Sequence, residues 1–267
     1  MGDDRPIGIF DSGMGGLTLV QSLLEVLGEE SLIYFGDTAH LPYGQRSLDE
    51  IRVFSREIVA FLLAQGAKAI VVACNTATAA AVNQLRAEWP GIPFFGMEPA
   101  VKPAAAATES GVVGVLATQG TFRSQRYADL MMRYGRQVQM LENPCIGLVA
   151  RIEAGALQAQ ETEAQLREIL APMLAKGADT FVLGCTHYPF VRTQIEKIVG
   201  PKAHIIDPAL AVAEHLQRRL HKNGLLASPG HVPQHKFFAS GDASSIQFAL
   251  QNTLKLPEKV EQVTLAN

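Results

Sequence analysis

Short apolar runs alternate with helical patterns along almost the whole chain. Residues 7–10, 31–35, 69–73 and 94–95 are apolar or β-branched stretches of strand length. Between them, residues 17–27, 47–64 and 77–88 carry apolar positions at helical spacing. Ser47 and Glu50 form a capping-box pattern ahead of the second of these helices. Such alternation predicts an α/β fold, a mostly parallel sheet with helices on both faces.

The pattern then restarts. Val113-Gly-Val-Leu-Ala-Thr118 echoes Ile7-Gly-Ile-Phe-Asp-Ser12, and Asp179-Thr-Phe-Val-Leu-Gly-Cys185 echoes Lys68-Ala-Ile-Val-Val-Ala-Cys74. The first offset is 106 residues and the second 111. So small a drift favours internal duplication and predicts two pseudo-symmetric α/β halves. Further strands are expected at 137–141, 180–183, 204–206 and 236–239, with a helix over 209–220. Residues 99–107, rich in Ala and Pro, fit a linker or a helix. The segment beyond 208 is too short to fold alone. It is expected to return to the first lobe, giving domains of 1–98 plus 209–267 and of 99–208.

Composition narrows the class. Hydrophobic residues at 48 % against 18 % charged residues describe a chain that folds around a core. A net charge of −3 without a basic cluster argues against nucleic acid as a partner. No apolar run approaches the ~20 residues of a membrane span, and the N-terminus lacks a signal-peptide pattern. Three cysteines without a C-x-x-C pair read as free thiols in a reducing cytoplasm.

Open α/β sheets bind ligands at the carboxyl ends of their strands, and the polar residues fall there. Asp11 and Ser12 end the first strand; Cys74, Asn75 and Thr76 end another. Thr118 and Thr121, then Cys185, Thr186 and His187, hold the equivalent places in the second half, and the loop from Asp37 to Gly44 joins the first rim. Singly, a free cysteine reads as a small buried hydrophobe. Two at matched positions, each between a strand end and a helix start, point to chemistry, because a helix N-terminus favours the reactive thiolate. Cys145 has no twin and reads as structural. His187 fits a satisfied loop histidine and a partner tuning Cys185 equally well. Glu153, in a helical segment, reads by itself as a solvated surface carboxylate. The turn at Asp11-Ser-Gly-Met-Gly-Gly16 fits neither a P-loop nor G-x-G-x-x-G. No Cys/His/Asp/Glu spacing matches a metal site.

Four motifs together resemble the bacterial glutamate racemases of the cofactor-independent aspartate/glutamate racemase superfamily. They are Asp11-Ser-Gly-x-Gly-Gly, Pro42-Tyr-Gly44, Ala73-Cys-Asn-Thr-Ala77 and Gly184-Cys-Thr-His-Tyr-Pro189. The likeness runs through nearly the whole chain in order and spacing. It implies a PLP-independent isomerase, requiring no cofactor, that interconverts L- and D-glutamate and supplies D-glutamate for peptidoglycan. It further implies two cysteines facing each other across a cleft between the two lobes. Carried over by position, Cys74 and Cys185 are the acid/base pair, with Asp11 and His187 assisting catalysis. Asp11, Ser12, Tyr43, Gly44, Asn75, Thr76, Thr118, Thr121, Thr186 and His187 bind substrate, and Glu153 is a neighbour that assists. Members of the family are often homodimers. Some carry an N-terminal extension tied to activation by a cell-wall precursor, which is not expected of a chain whose first strand begins at residue 7.

Three rival readings remain at this stage. A one-thiol isomerase or decarboxylase on the same fold leaves the second cysteine without a use. Aspartate as substrate differs only in the pocket length required. A non-catalytic dicarboxylate-binding protein has no need of two thiols.

Overall fold

A computed structural model describes residues 2–265. The chain divides into two compact units, Met1–Met97 with Ala209–Asn267, and Glu98–Pro208.

The first unit opens with β1 (Ile7–Asp11), α1 (Leu17–Val26), β2 (Leu32–Gly36), α2 (Leu48–Ala64), β3 (Ala69–Val72), α3 (Asn75–Glu88) and β4 (Phe94–Gly96). In the second unit follow α4 (Val101–Ala107), β5 (Val112–Ala117), α5 (Gln119–Phe122), α6 (Gln125–Tyr134), β6 (Gln139–Asn143) and α7 (Leu148–Glu153). That unit closes with α8 (Gln160–Ala175), β7 (Thr180–Gly184), α9 (Arg192–Val199) and β8 (His204–Ile206). The chain then returns to the first unit as α10 (Ala209–Lys222), β9 (Lys236–Ala239), α11 (Ser244–Ala249) and β10 (Val260–Gln262).

The first sheet has the order β10-β9-β2-β1-β3-β4 and the second the order β6-β5-β7-β8. Every adjacent pair is parallel. Parallel strands covered on both faces bury alternate side chains equally, so they read as unbroken apolar runs. Accordingly β1, β2, β3 and β7 are buried along their whole length. The β2-β1-β3-β4 core of the first sheet and the whole of the second share one strand order, the topological form of the duplication expected from the sequence. Hence β3 and β7, the strands that lead into Cys74 and Cys185, occupy equivalent places.

Local signals set the element ends. The capping box at α2 is complete: Ser47 Oγ accepts from the Glu50 N–H at 3.2 Å, and the Glu50 carboxylate accepts from the Ser47 N–H at 2.9 Å. A cap of this kind contributes about 1 kcal/mol. The Ala/Pro-rich stretch after residue 98 is helix α4 rather than a linker, with Val101 and Ala104 turned into the core. The strand expected at 137–141 starts two residues later as β6, where the Gln139 N–H first reaches the Gly111 carbonyl.

Candidate functional site

In the first unit the carboxyl ends of β1, β2 and β3 lie side by side. The Asp37 N–H bonds the Asp11 carbonyl at 2.9 Å, and the Ala73 N–H bonds the Phe10 carbonyl at 2.8 Å. This register brings Asp11, Ser12, Asp37 and Cys74 to one rim. All four are buried.

The Asp11 carboxylate accepts the Gly13 and Gly16 N–H groups at 3.2 and 3.1 Å, so it holds the glycine turn that follows it. Tyr34 supports the same turn from below, donating its phenol to the Gly13 carbonyl at 2.6 Å. Gly16 is required for space: a Cβ there would lie 2.8 Å from Asp11 Cβ and 3.0 Å from Ala73 Cβ. Its backbone is right-handed, so its conformational freedom is not in use.

Cys74 is the N-cap of the 14-residue helix α3, and its sulfur accepts the Ala77 N–H at 3.4 Å. The positive end of the helix and a backbone donor therefore face the sulfur. Ser12 Oγ lies 3.9 Å from it. Asn75 and Thr76, the first two residues of α3, are buried. Neither Oδ1 nor Nδ2 of Asn75 has a hydrogen-bond partner among the described residues. A buried amide with both ends unused is costly to the fold and suits a polar guest. Tyr43 and Gly44 stand in a single 3₁₀ turn, Tyr43–Gln45, and Tyr43 packs in the same core cluster as Cys74.

The second unit repeats the arrangement with different caps. Ala117 pairs with Gly184 across β5 and β7, so Thr118 and Cys185 follow on neighbouring strands. Thr118 caps α5 through the Thr121 N–H, and the two hydroxyls are 3.1 Å apart. Thr121 and Thr186 are buried. The sequence echo led to a helix starting directly after each cysteine, but Cys185 departs from it. It is followed by a turn and the 3₁₀ segment Tyr188–Val191, and α9 begins only at Arg192. Pro189 accounts for the difference: it stands where Thr78 stands after Cys74, and it has no N–H to repeat the Thr78 bond to the cysteine carbonyl, 2.8 Å in the first unit.

His187 takes the place of the missing helix as the partner of Cys185. Its Nδ1 lies 3.8 Å from Cys185 Sγ, and its Nε2 is 2.6 Å from the Glu153 carboxylate. Burial pulls the imidazole toward its neutral form, but the sulfur and Glu153 outweigh it and hold the His187 pKa well above the usual histidine value. Glu153 is therefore not the surface carboxylate that a helical segment suggests: its side chain is only 11 % exposed. Cys145 is buried nearby, and burial pushes its thiol far up, which keeps it protonated.

Ser240, which the sequence did not single out, completes the first rim: the Asp37 carboxylate collects it together with His40 and Tyr43 of the expected loop. Ser240 comes from beyond β9, and its distance along the chain hid the contact. Among the described residues, no group of three His, Cys, Asp or Glu side chains could hold a metal ion, and no helix is long and apolar enough to cross a membrane.

The family model described as Asp/Glu/Hydantoin racemase matches residues 7–216. The glutamate racemase of Stutzerimonas stutzeri is 51 % identical over 237 residues, 89 % of each chain. The crystal structure of a Bacillus anthracis glutamate racemase superposes with a TM-score of 0.88 at 35 % identity, over 98 % of both chains. That of the Francisella tularensis glutamate racemase in complex with D-glutamate gives 0.84 at 33 % identity, again over 98 % of both. With the motif cysteines at the ends of equivalent strands and these likenesses over nearly its full length, the chain belongs to the Asp/Glu/Hydantoin racemase family, isomerases that work without a cofactor.

Proposed function

We propose that the chain interconverts L- and D-glutamate by 1,1-proton transfer, with Cys74 and Cys185 as the two acid/base groups. The observation that carries this reading is the equivalence of the two thiols: each follows the same strand of the four-strand order that the two sheets have in common. Inversion at carbon needs a base on one face and an acid on the other. In this scheme one thiolate takes the α-proton and the second thiol delivers a proton to the opposite face. The reverse reaction exchanges their protonation states.

An α-proton of an amino acid is very weakly acidic, so the carbanion must be stabilised as it forms. Backbone N–H groups around Ser12, Tyr43, Gly44, Asn75, Thr76 and Thr186, with the amide of Asn75, are assigned to the substrate carboxylates. Asp11 is assigned to the ammonium group and to the proton balance of Cys74. His187, backed by Glu153, is assigned to the proton balance of Cys185. Thr118 and Thr121 complete the substrate-facing rim of the second lobe.

Glutamate is favoured over aspartate because the relatives at up to 51 % identity are glutamate racemases, and the Francisella tularensis enzyme carries D-glutamate. The product is assigned to peptidoglycan synthesis and the reaction to the cytoplasm, where three free thiols stay reduced. Circular dichroism of purified protein with L- or D-glutamate, and no added cofactor, tests the assignment. Decay of the signal to zero from either enantiomer is expected. A stable signal with glutamate and decay with aspartate would reassign the substrate.

A further inference from the structure

In the polar cluster on Asp37, Tyr43 is assigned to the substrate, while Asp37, His40 and Ser240 carry no role so far. Asp37 follows β2 and is 1 % exposed. Its Oδ2 accepts the Tyr43 phenol at 2.5 Å, and its Oδ1 accepts the Ser240 hydroxyl at 2.6 Å. The His40 Nδ1 sits 2.9 and 3.0 Å from the same two oxygens, with its ring stacked on Phe54 at 3.8 Å. Ser240 also accepts the Ala39 N–H at 3.0 Å, and next to it the Gly241 N–H donates to Thr38 Oγ1 at 3.0 Å. The segment after β9, about 200 residues on in sequence, thus grips the start of the 37–43 loop at Asp37, Thr38 and Ala39, and the Asp37–Tyr43 bond carries that hold to the loop's far end.

We propose that Asp37 and Ser240 are positioning residues, which fix the Tyr43 side chain and through it the Pro42-Tyr43-Gly44 turn for substrate binding. A buried carboxylate that receives several donors has little freedom of its own. The phenol remains a donor at neutral pH, because burial and the adjacent Asp37 charge raise its pKa well above the usual tyrosine value. Ser240 touches the loop rather than the reacting atoms. Its removal is therefore a loss of order in the turn, which shows in KM more than in kcat. This inference rests on the proposed function in giving Tyr43 and Gly44 to the substrate.

The test combines kinetics with hydrogen exchange on Ser240→Ala, Ser240→Thr, Asp37→Asn and Tyr43→Phe. Ser240→Ala is expected to raise KM for glutamate about fivefold with kcat within about twofold, as befits one lost hydrogen bond to a charged group. Ser240→Thr keeps the hydroxyl and restores KM. Ser240→Ala adds little in a Tyr43→Phe background, because both act through the Asp37 carboxylate. Backbone amides of residues 38–46 exchange faster in Ser240→Ala and recover in Ser240→Thr. Unchanged KM and unchanged exchange in Ser240→Ala would overturn the proposal, as would additivity with Tyr43→Phe. Should Asp37→Asn fail to fold, the two Ser240 variants decide alone. Wild type that leaves glutamate untouched, together with faster exchange of residues 38–46 in Ser240→Ala, would refute the proposed function and leave the clamp standing.

Discussion

Glu153 Oε1 and His187 Nε2 are 2.6 Å apart, and the other ring nitrogen of His187 lies 3.8 Å from Cys185 Sγ. A carboxylate, an imidazole and a sulfur are thereby joined in a row inside the second lobe. Cys74 stands in a different setting, at the N-terminus of a long helix with the Ala77 N–H and the Ser12 hydroxyl beside its sulfur. Two thiols assigned the same task therefore sit in chemically different surroundings, and substitutions in the two lobes should have different signatures.

The first concerns pH. The His187 pKa is raised in the folded chain, so its contribution to stability is complete below the ordinary value of about 6.5. That contribution is lost as pH rises through the folded value. Glu153→Gln weakens the hold on the proton. The alkaline limb of the kcat/KM profile should move to lower pH, and the stability gap to wild type should narrow as pH rises. An unmoved limb would take Glu153 out of the proton balance.

Asn75 separates binding from stability. Its buried amide has no partner among the described residues, and an unsatisfied buried group costs the fold roughly 1–3 kcal/mol. Asn75→Ala should leave stability unchanged or improved while raising KM for glutamate about tenfold, the equivalent of roughly 1.4 kcal/mol. Denaturant unfolding and steady-state kinetics on the same preparation check both halves. A destabilised variant with normal KM would make Asn75 a purely structural residue.

Far from the rim, Lys68 and Glu30 form a buried ion pair at 2.5 Å, and Lys68 also donates to the Asp3 carbonyl. Lys68 stands just before β3, at the opposite end of the strand from Cys74. Lys68→Met strands the Glu30 charge in the interior and should cost roughly 3–5 kcal/mol by denaturant unfolding. The kcat of the folded fraction should stay at the wild-type level. A fall in kcat at full folding would place this pair in the active machinery.

Gly184 precedes Cys185, and a Cβ on it would lie 2.9 Å from both Ala117 Cβ and the Leu116 carbonyl. Gly184→Ala must push β7 from β5 at the point where the thiol is set. Overpacking of this kind costs about 1–3 kcal/mol. The variant should also lose kcat, because the sulfur moves with the strand. Retention of full kcat would show that the site tolerates that displacement.

The repeated apolar strands, the Ser47 capping box and the two cysteine-bearing strand ends were legible because each is a local signal or a periodicity. The common strand order of the two sheets follows from the same echo. Contacts distant in sequence were not legible: nothing near Asp37 announces Ser240, and nothing near Glu153 announces that its helix turns the carboxylate inward to His187. Similarity of sequence also misled once. The Cys185 segment echoes the Cys74 segment, yet Pro189 replaces the helix start with a 3₁₀ turn and leaves His187 to serve the sulfur. The short polar strand β10, Val-Glu-Gln, carries no strand signal of its own and forms by pairing with β9.

The central claim is that two separate groups handle the proton, and isotope position reads this directly. L-glutamate is incubated with the enzyme in deuterated water, and both enantiomers are analysed by mass spectrometry at low conversion. Two bases predict D-glutamate carrying solvent deuterium at the α-carbon while recovered L-glutamate keeps its protium, with the mirror result from D-glutamate. D-glutamate that retains the original hydrogen, or L-glutamate that exchanges as fast as it racemises, would contradict the account.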